Sequence, residues 1–530
     1  MIQTSEKWKI AQSGVIVPEA FIEIAYKITD PDLHESASEI NNGAAEYSDH
    51  ERIIETTVSD QGRYATLEHN TWALDGSTEI LPDDGGDTAY VSDAVSNANG
   101  LFATNPLITI DFDKVHVIAI PGVTITWGNE FDDYATSFKL TAYRNGSVVQ
   151  SRTFSGTATQ TECDFTVVNY NRITLEILGW SLPYRRARVQ RIFLGIQQIF
   201  TKSDLVSYEH EQTADLLSAA LPKNATIFSL NNVDGKWNPD NPTGNVRYLA
   251  ERQEIKVRYG LKLDEETEWI KAGTFWISEW DTPSNGIEAR FTARDALEFM
   301  GDPYTGTLNG TLYDIALAAF EQSDIPTLDN GKVRYVISDN LKEYSAHVTD
   351  DQQTNYTCAE IAQLCANAAC CVLYQDRDGV LRIEPLRENA SGYRIAKYNC
   401  YTHPEFTLSK QLKSVNVNNG LAVVNNSATG EIQSIQNDLI TNETAARRVA
   451  EWTRKTLAGR KTITGEYRAD PSLDVLDKVA AESKYGSQNA LYITDIKYTY
   501  NGAFRGVYTG RITDFDKEVW YSGELISGEV

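Results

Sequence analysis

The stretch Ala225-Thr-Ile-Phe-Ser-Leu-Asn-Asn-Val-Asp-Gly-Lys-Trp-Asn-Pro-Asp-Asn-Pro242 constrains the fold more than any other. It begins as a strand, with Ile227, Phe228 and Leu230, and then passes into turn chemistry. Asn231-Asn232 and Asp234-Gly235 are followed by Asn-Pro at 238–239 and again at 241–242. Gly235 can take a positive φ, and each proline fixes its own φ and drives the preceding asparagine extended. The chain therefore leaves a β-layer into a rigid, polar loop. Such a loop suits a surface gripped by a neighbouring subunit, with Asp234, Trp237 and Asn238 as its contact residues. An ordinary surface loop is the competing reading.

With 530 residues the chain should hold about three to five domains. Its 41% hydrophobic content is enough for several cores. The 74 acidic residues against 48 basic leave a net charge of −26, which argues against nucleic-acid binding, because phosphate contacts need clustered Lys and Arg. An acidic conduit that repels DNA and plain solubility both fit this charge. No apolar run approaches the roughly 20 residues of a membrane helix, and Met1–Lys7 lacks the layout of a signal peptide, so a soluble chain made in the cytoplasm is expected. The six cysteines form no CxxC pair, and four of them crowd residues 358–371 with no histidine nearby. They read as small buried hydrophobes.

Residues 1–60 carry a short extended start and the alternating run Ile22–Ile28, too little to close a core without partners from later in the chain. From 61 to 197 many short alternating runs imply an antiparallel β-sandwich, with Asn145-Gly146 as a two-residue hairpin turn. Strand-like runs return over 198–300, including the aromatic Trp269–Trp280. The middle, 301–440, mixes helix and strand. Leu312, Ile315, Ala316 and Ala319 share one helical face, and Cys358, Ile361, Ala362, Cys365 and Ala369 share another. Asp376-x-Asp378-Gly379 reads as a hairpin turn in preference to a calcium loop, since Arg387 stands where the twelfth-position glutamate belongs. Residues 441–516 read as a small barrel with one helix, in which Ala445, Val449 and Trp452 form the buried side, and 517–530 as a C-terminal tail.

Phe228-x-Leu-x-Asn-x-Asp-Gly-x-Trp-x-Pro, with strands on both sides, resembles the first barrel of tail-hub proteins of phages and prophages. Ala469-Asp-Pro-Ser-Leu473 followed by Leu491–Gly506 resembles their C-terminal barrel more specifically, over about 442–516. Tyr64–Glu68, Trp72-Ala-Leu-Asp-Gly76, Tyr90–Asp93 and Ala187–Gly195 resemble the discoidin-like, coagulation-factor type C family of galactose-binding-like sandwiches. Together these imply a mainly β chain with an α+β middle: two small hub barrels plus an inserted antiparallel jelly-roll sandwich. The hub resemblance implies a virion tail protein that forms a homo-oligomer, with a trimer expected, beside distal-tail, tape-measure and spike or fibre proteins. The sandwich resemblance implies loops on one rim that bind sugars, lipids or proteins, with a host-surface glycan as the expected ligand. It also implies a structural calcium at Asp75, against which Asp75-Gly76 is equally a turn pair; no other cofactor is expected.

Trp180, Tyr184 and Trp127 are the residues expected at a sugar, with Trp72 a further aromatic. Trp180 stands beside Gly179 and is the leading stacking face, although core packing competes for each tryptophan. No GxxxxGK[ST], HExxH, GxSxG or GxGxxG occurs, and no Cys–His nucleophile pattern stands out. A structural, non-catalytic protein is expected. A cell-wall glycan hydrolase with a sugar-binding domain and a secreted adhesin are the alternatives.

Overall fold

A computed structural model describes residues 2–513 apart from 15–17, 30–32, 34–35, 43–52, 54–63, 70, 82–88, 118–119, 121, 129–130, 242–243, 264–265, 285, 329–331, 349–355 and 388–391. Pro242 and the expected tail at 517–530 lie outside the described residues. The chain is mainly β. Among the described residues, thirteen strands drawn from both ends of the sequence form one hydrogen-bonded sheet, while an inserted sandwich and an α+β middle unit hold the rest.

The strands of the two expected barrels are bonded into one sheet, whose path among the described residues runs from Gly195–Phe200 at one end to Glu405–Leu408 at the other. Its first half bonds in the order Glu254–Leu263, Glu266–Asp281, Glu288–Arg294, Lys223–Asn231, Leu205–Thr213. Its second half bonds in the order Lys478–Glu482, Gln488–Tyr500, Phe504–Arg511, Lys461–Arg468, Glu405–Leu408. Counted along the chain, both halves read third, fourth, fifth, second, first, and every pair is antiparallel. The halves are fused where Leu205–Thr213 pairs with the C-terminal part of Gln488–Tyr500. One apolar core runs through both, from Ile22 and Phe228 to Ile496 and Tyr508. At the junction His210 is buried, bonded by Nε2 to Asn224 Oδ1 (2.8 Å) and by Nδ1 to the Tyr259 hydroxyl (2.7 Å). Burial and the nearby Arg377 guanidinium hold its pKa down to about 3, so the ring is neutral.

The N-terminus is a helix, Glu6–Ser13, and not the extended start expected. Ser5 caps it by accepting from Trp8 N–H, and Trp8 is fully buried with its indole donating to Asp470 Oδ1 at 3.1 Å. Asp470 belongs to the Ala469–Leu473 run, whose Ser472 carbonyl also accepts from Ile2 N–H (2.8 Å). The most specific sequence motif is thus the clamp on the N-terminal segment.

The middle unit packs helices Leu312–Gln322 and Cys358–Ala368 together with two small three-stranded sheets. The two helical faces expected from sequence are buried. Thr357 and Glu360 form a capping box on the second helix. All six cysteines are free, and burial pushes the Cys370 thiol up to about 11. The turn 376–379 joins paired strands Val372–Gln375 and Leu381–Glu384, with Gly379 at φ +77° and Asp376 Oδ1 accepting from Asp378 and Val380 N–H. Helix Glu443–Leu457, expected in the last barrel, instead buries Ala446, Val449 and Ala450 in the middle unit's core, while Ala445 and Trp452 are only half-buried. The boundary at 441 therefore moves to about 458, and Arg394–Ile395 and Glu405–Leu408 leave the expected 301–440 domain for the large sheet.

The sandwich begins earlier than residue 61. Ala37–Asn42 pairs with Leu107–His116 inside it, and Leu33 lies in its core. Its two sheets face each other across Trp127, Phe138, Leu175 and Ile192, with Asn145 and Gly146 both at positive φ in the expected hairpin turn. The insertion leaves and re-enters through a β-stem in which Ala20–Thr29 pairs with Gly195–Phe200 up to Thr29 opposite Gly195. Directly opposed Cα atoms lie only about 4.5–5.5 Å apart. Replacing 30–194 by Asn-Gly should therefore close an ordinary hairpin and give a soluble, folded scaffold. Deleting 61–197 should aggregate, because it orphans Ala37–Asn42 and cuts into the stem. Size exclusion and circular dichroism decide this: an insoluble 30–194 deletion would show that the scaffold depends on the sandwich.

Candidate ligand-contacting rim of the inserted sandwich

Three segments of the sandwich, 64–81, 95–101 and 181–186, converge on one rim. Their anchor is the ion pair Glu68–Arg188, both side chains fully buried. Arg188 Nη1 donates to Glu68 Oε1 at 2.9 Å, Arg188 Nη2 donates to Oε2, and the same carboxylate accepts from Arg186 N–H (2.7 Å) and Thr66 Oγ1 (2.9 Å). Burial pushes the Glu68 carboxyl up, but the bonds and charge of Arg188 with the Arg186 N–H outweigh it and hold it below its ordinary range. Every lone pair that a buried carboxylate needs filled has a donor here.

On this anchor Thr71 Oγ1 donates to the carbonyls of Thr66 and Glu68, and Trp72 Nε1 donates to Thr66 O at 2.7 Å. The resulting knob turns at Asp75-Gly76, with Gly76 at φ +87°. It presents Leu67 and Leu74 to solvent and leaves Trp72 48% exposed. Across the rim Ser96 N–H donates to Arg185 O, and Tyr184 N–H donates to Ser96 O. These bonds fix Tyr184 at φ +59°, 44% exposed, with its ring 5.3 Å from His69. Gly100 meets the rim so closely that a Cβ there would lie 2.2 Å from Trp180 O.

The expected site residues separate sharply. Trp180 is the last residue of strand Tyr170–Trp180, 2% exposed, with its indole donating to Asp133 Oδ2 at 2.6 Å and its ring edge-on to Trp127. Trp127 is fully buried and donates to Thr161 Oγ1. Neither offers a face to a sugar, which corrects both assignments; satisfied indole N–H groups let the two rings fill the core. Tyr184 is on the rim. Asp75 is exposed, and its Oδ1 accepts from Ser77 N–H and Oγ in an Asx turn. Among the described residues no group of three or more His, Cys, Asp or Glu side chains converges as a metal site would require. His69, Leu67 and Leu74 were missed, and Glu68–Arg188 could not be read at all, since its partners are 120 residues apart.

In the loop after Leu230, Trp237 is a core plug, stacked on Tyr26 and edge-on to Phe291 (5.0 Å), and its place in a subunit contact is corrected accordingly. Asn238 is spent on accepting from Asn232 Nδ2. Asp234 alone of the three points outward, paired with Lys236 at 2.8 Å.

On the scaffold, burial pushes the Asp295 carboxyl up to about 7. It lines a cleft with Glu209, Glu211, Glu279 and Glu298. Its two oxygens accept from Asn224 and Leu297 N–H, so it caps the turn Ala296–Met300 and aims nothing into the cleft. No helix among the described residues is long and apolar enough to cross a membrane.

No family model matches the chain, and no curated protein matches it. Solved structures that resemble it include the 43 kDa tail protein of prophage MuSo2 from Shewanella oneidensis, with TM-score 0.45 and 14% identity over 60% of this chain and 96% of that one. A tail protein from Neisseria meningitidis MC58 gives TM-score 0.42 and 11% identity over 60% and 94%. Prophage tail protein gp18 from Listeria monocytogenes EGD-e gives 0.39 and 10% over 63% and 97%. At these scores they stand as likenesses only.

Proposed function

We propose that the chain is a structural hub protein of the tail tip of a phage or phage-like particle, working without catalysis beside other tail proteins such as distal-tail, tape-measure and spike or fibre proteins. The observation that carries this is the duplicated half-sheet. Two equivalent modules fused edge to edge can be continued by the same contact between copies, and where that rotation closes three copies would set six modules around one axis. The Ala469–Leu473 resemblance supports the same reading, because that run is the clamp joining the N-terminal helix to the second half. Asp234 is the outward residue of the loop offered to a neighbour. Particles produced without this chain should lack closed tail tips in negative-stain images; complete, ordinary tips would overturn the proposal.

The inserted sandwich is proposed to reach outside the tail axis, to a host-surface glycan or a neighbouring tail protein, through Tyr184, His69 and Trp72. One aromatic stack leaves little surplus affinity after ordering costs, and several copies on one tip offset that through effective concentration. Tyr184→Ala should lower attachment of particles to host cells by about tenfold, the scale of 1.4 kcal/mol, and replacing 30–194 by Asn-Gly should abolish it. Normal attachment by the deletion would make the sandwich architectural.

A further inference from the structure

The two halves of the large sheet share their register around one bulge. Ser278 and Thr494 occupy the same bulge, immediately before Glu279 opposite Thr292 and Asp495 opposite Thr509. Each bulge hydroxyl donates across to that partner's carbonyl, at 3.4 and 3.2 Å. Arg294 lies opposite Trp276 as Arg511 lies opposite Tyr492. Following the ladders outward makes Trp280 equivalent to Ile496, Asp281 to Lys497, Leu408 to Gln212 and Thr407 to Glu211.

Within the chain the halves join with Gln212 opposite Ile496 and Glu211 opposite Lys497. Gln212 and Ile496 are buried by that joint. Their equivalents, Leu408 and Trp280, are 62% and 38% exposed. Among the described residues Glu405–Leu408 ends the sheet with a single strand neighbour, and the ladder from Glu254–Leu263 stops at Trp276, short of Glu279–Asp281. Among the described residues the same joint is thus made once inside the chain and left open at both of its outer partners.

We propose that these two edges pair between copies: Glu405–Leu408 of one chain adds antiparallel to Glu279–Asp281 of the next, with Leu408 opposite Trp280 and Thr407 opposite Asp281. The second copy is the occupant because it alone carries the strand whose equivalent already fills this place. The contact is heterologous, so it repeats head to tail and gives a ring where the rotation closes, as the ring proposed above requires. It names the strands of the ring proposed above and rests on that reading. Where the internal joint has the ion pair Lys497–Glu209, the joint between copies has Asp281 and Glu405. Like charges there make it the weaker joint and one that salt strengthens.

Directly opposed residues in antiparallel strands fall within disulfide reach. Leu408→Cys combined with Trp280→Cys in the full chain, and separately Thr407→Cys with Asp281→Cys, should give covalent multimers ending at a closed trimer on non-reducing gels after mild oxidation. The single variants should not. Native mass measurement on the unmodified chain, in low and high salt, separates the two claims. A ring that forms while neither pair cross-links between chains overturns the strand assignment and leaves the ring. A chain that stays monomeric in both salts overturns the ring and the pairing together.

Discussion

Arg377→Ala is expected to destabilise the scaffold by about 3–5 kcal/mol, the cost of breaking a buried charge cluster from one side. Arg377 sits in the turn after Gln375, is buried, and reaches from the middle unit into the second half of the large sheet. Nη1 donates to Pro471 O at 2.6 Å, Nη2 donates to Leu473 O, and Asp474 lies 3.4 Å away. The guanidinium also lies about 6 Å from the rings of Tyr259 and Tyr498, one from each half. Removing it takes the donor from the Pro471 carbonyl and the counter-charge from Asp474 at once, while the Leu473 carbonyl keeps the Tyr498 hydroxyl (2.8 Å). Arg377→Lys should recover only part of the loss, because one ammonium cannot serve two carbonyls in the geometry of a planar fork. Urea unfolding followed by tyrosine and tryptophan fluorescence measures this. A loss below about 1 kcal/mol, the worth of one ordinary hydrogen bond, would show that the middle unit and the two halves of the large sheet are held together elsewhere.

Glu68→Gln should cost the sandwich a similar amount, about 3–5 kcal/mol, because Arg188 would remain buried without its counter-charge. The rim would loosen with it, since Thr66, Arg186 and the knob bearing Trp72 all hang on that carboxylate. The same group sets an acid limit. Its folded pKa lies below the ordinary 4.5, so the folded state binds the proton less readily than the unfolded chain. The stabilisation is complete above the ordinary carboxylate range and is lost as pH falls through the folded value. In the isolated residues 33–194, or the full chain read through Trp127 and Trp180, unfolding of the sandwich should move to lower urea on acidification, and Glu68→Gln should flatten that dependence. An unchanged pH profile in the variant would assign acid sensitivity to other carboxylates.

Much of the β-architecture is local and so legible in the chain. Asn145-Gly146 has only one comfortable use between alternating runs, and the helical stripes at 312–319 and 358–369 bury as their spacing requires. Boundaries were less legible. Ala37–Asn42 looks like any edge strand until its partner at 107–116 is known, and helix Glu443–Leu457 has an apolar stripe that does not say which core it faces. Aromatic site residues failed for the same reason. A tryptophan beside a glycine reads as a loop platform, yet Trp180 ends a strand, and its burial depends on Asp133 supplying the acceptor for its indole.

What the sequence by itself determined is therefore the class of the chain: β-rich, acidic, with paired strand sets around a helical middle. Alternation, turn pairs and charge are properties of neighbouring residues and need no fold to be read. Only the tertiary structure decided the rest. Glu68–Arg188, Trp8–Asp470 and the Arg377 junction each join residues roughly a hundred or more apart, and the equivalence of Leu408 with Gln212 exists only as ladder register. Such contacts arise from how sheets pair and pack, which local patterning does not encode.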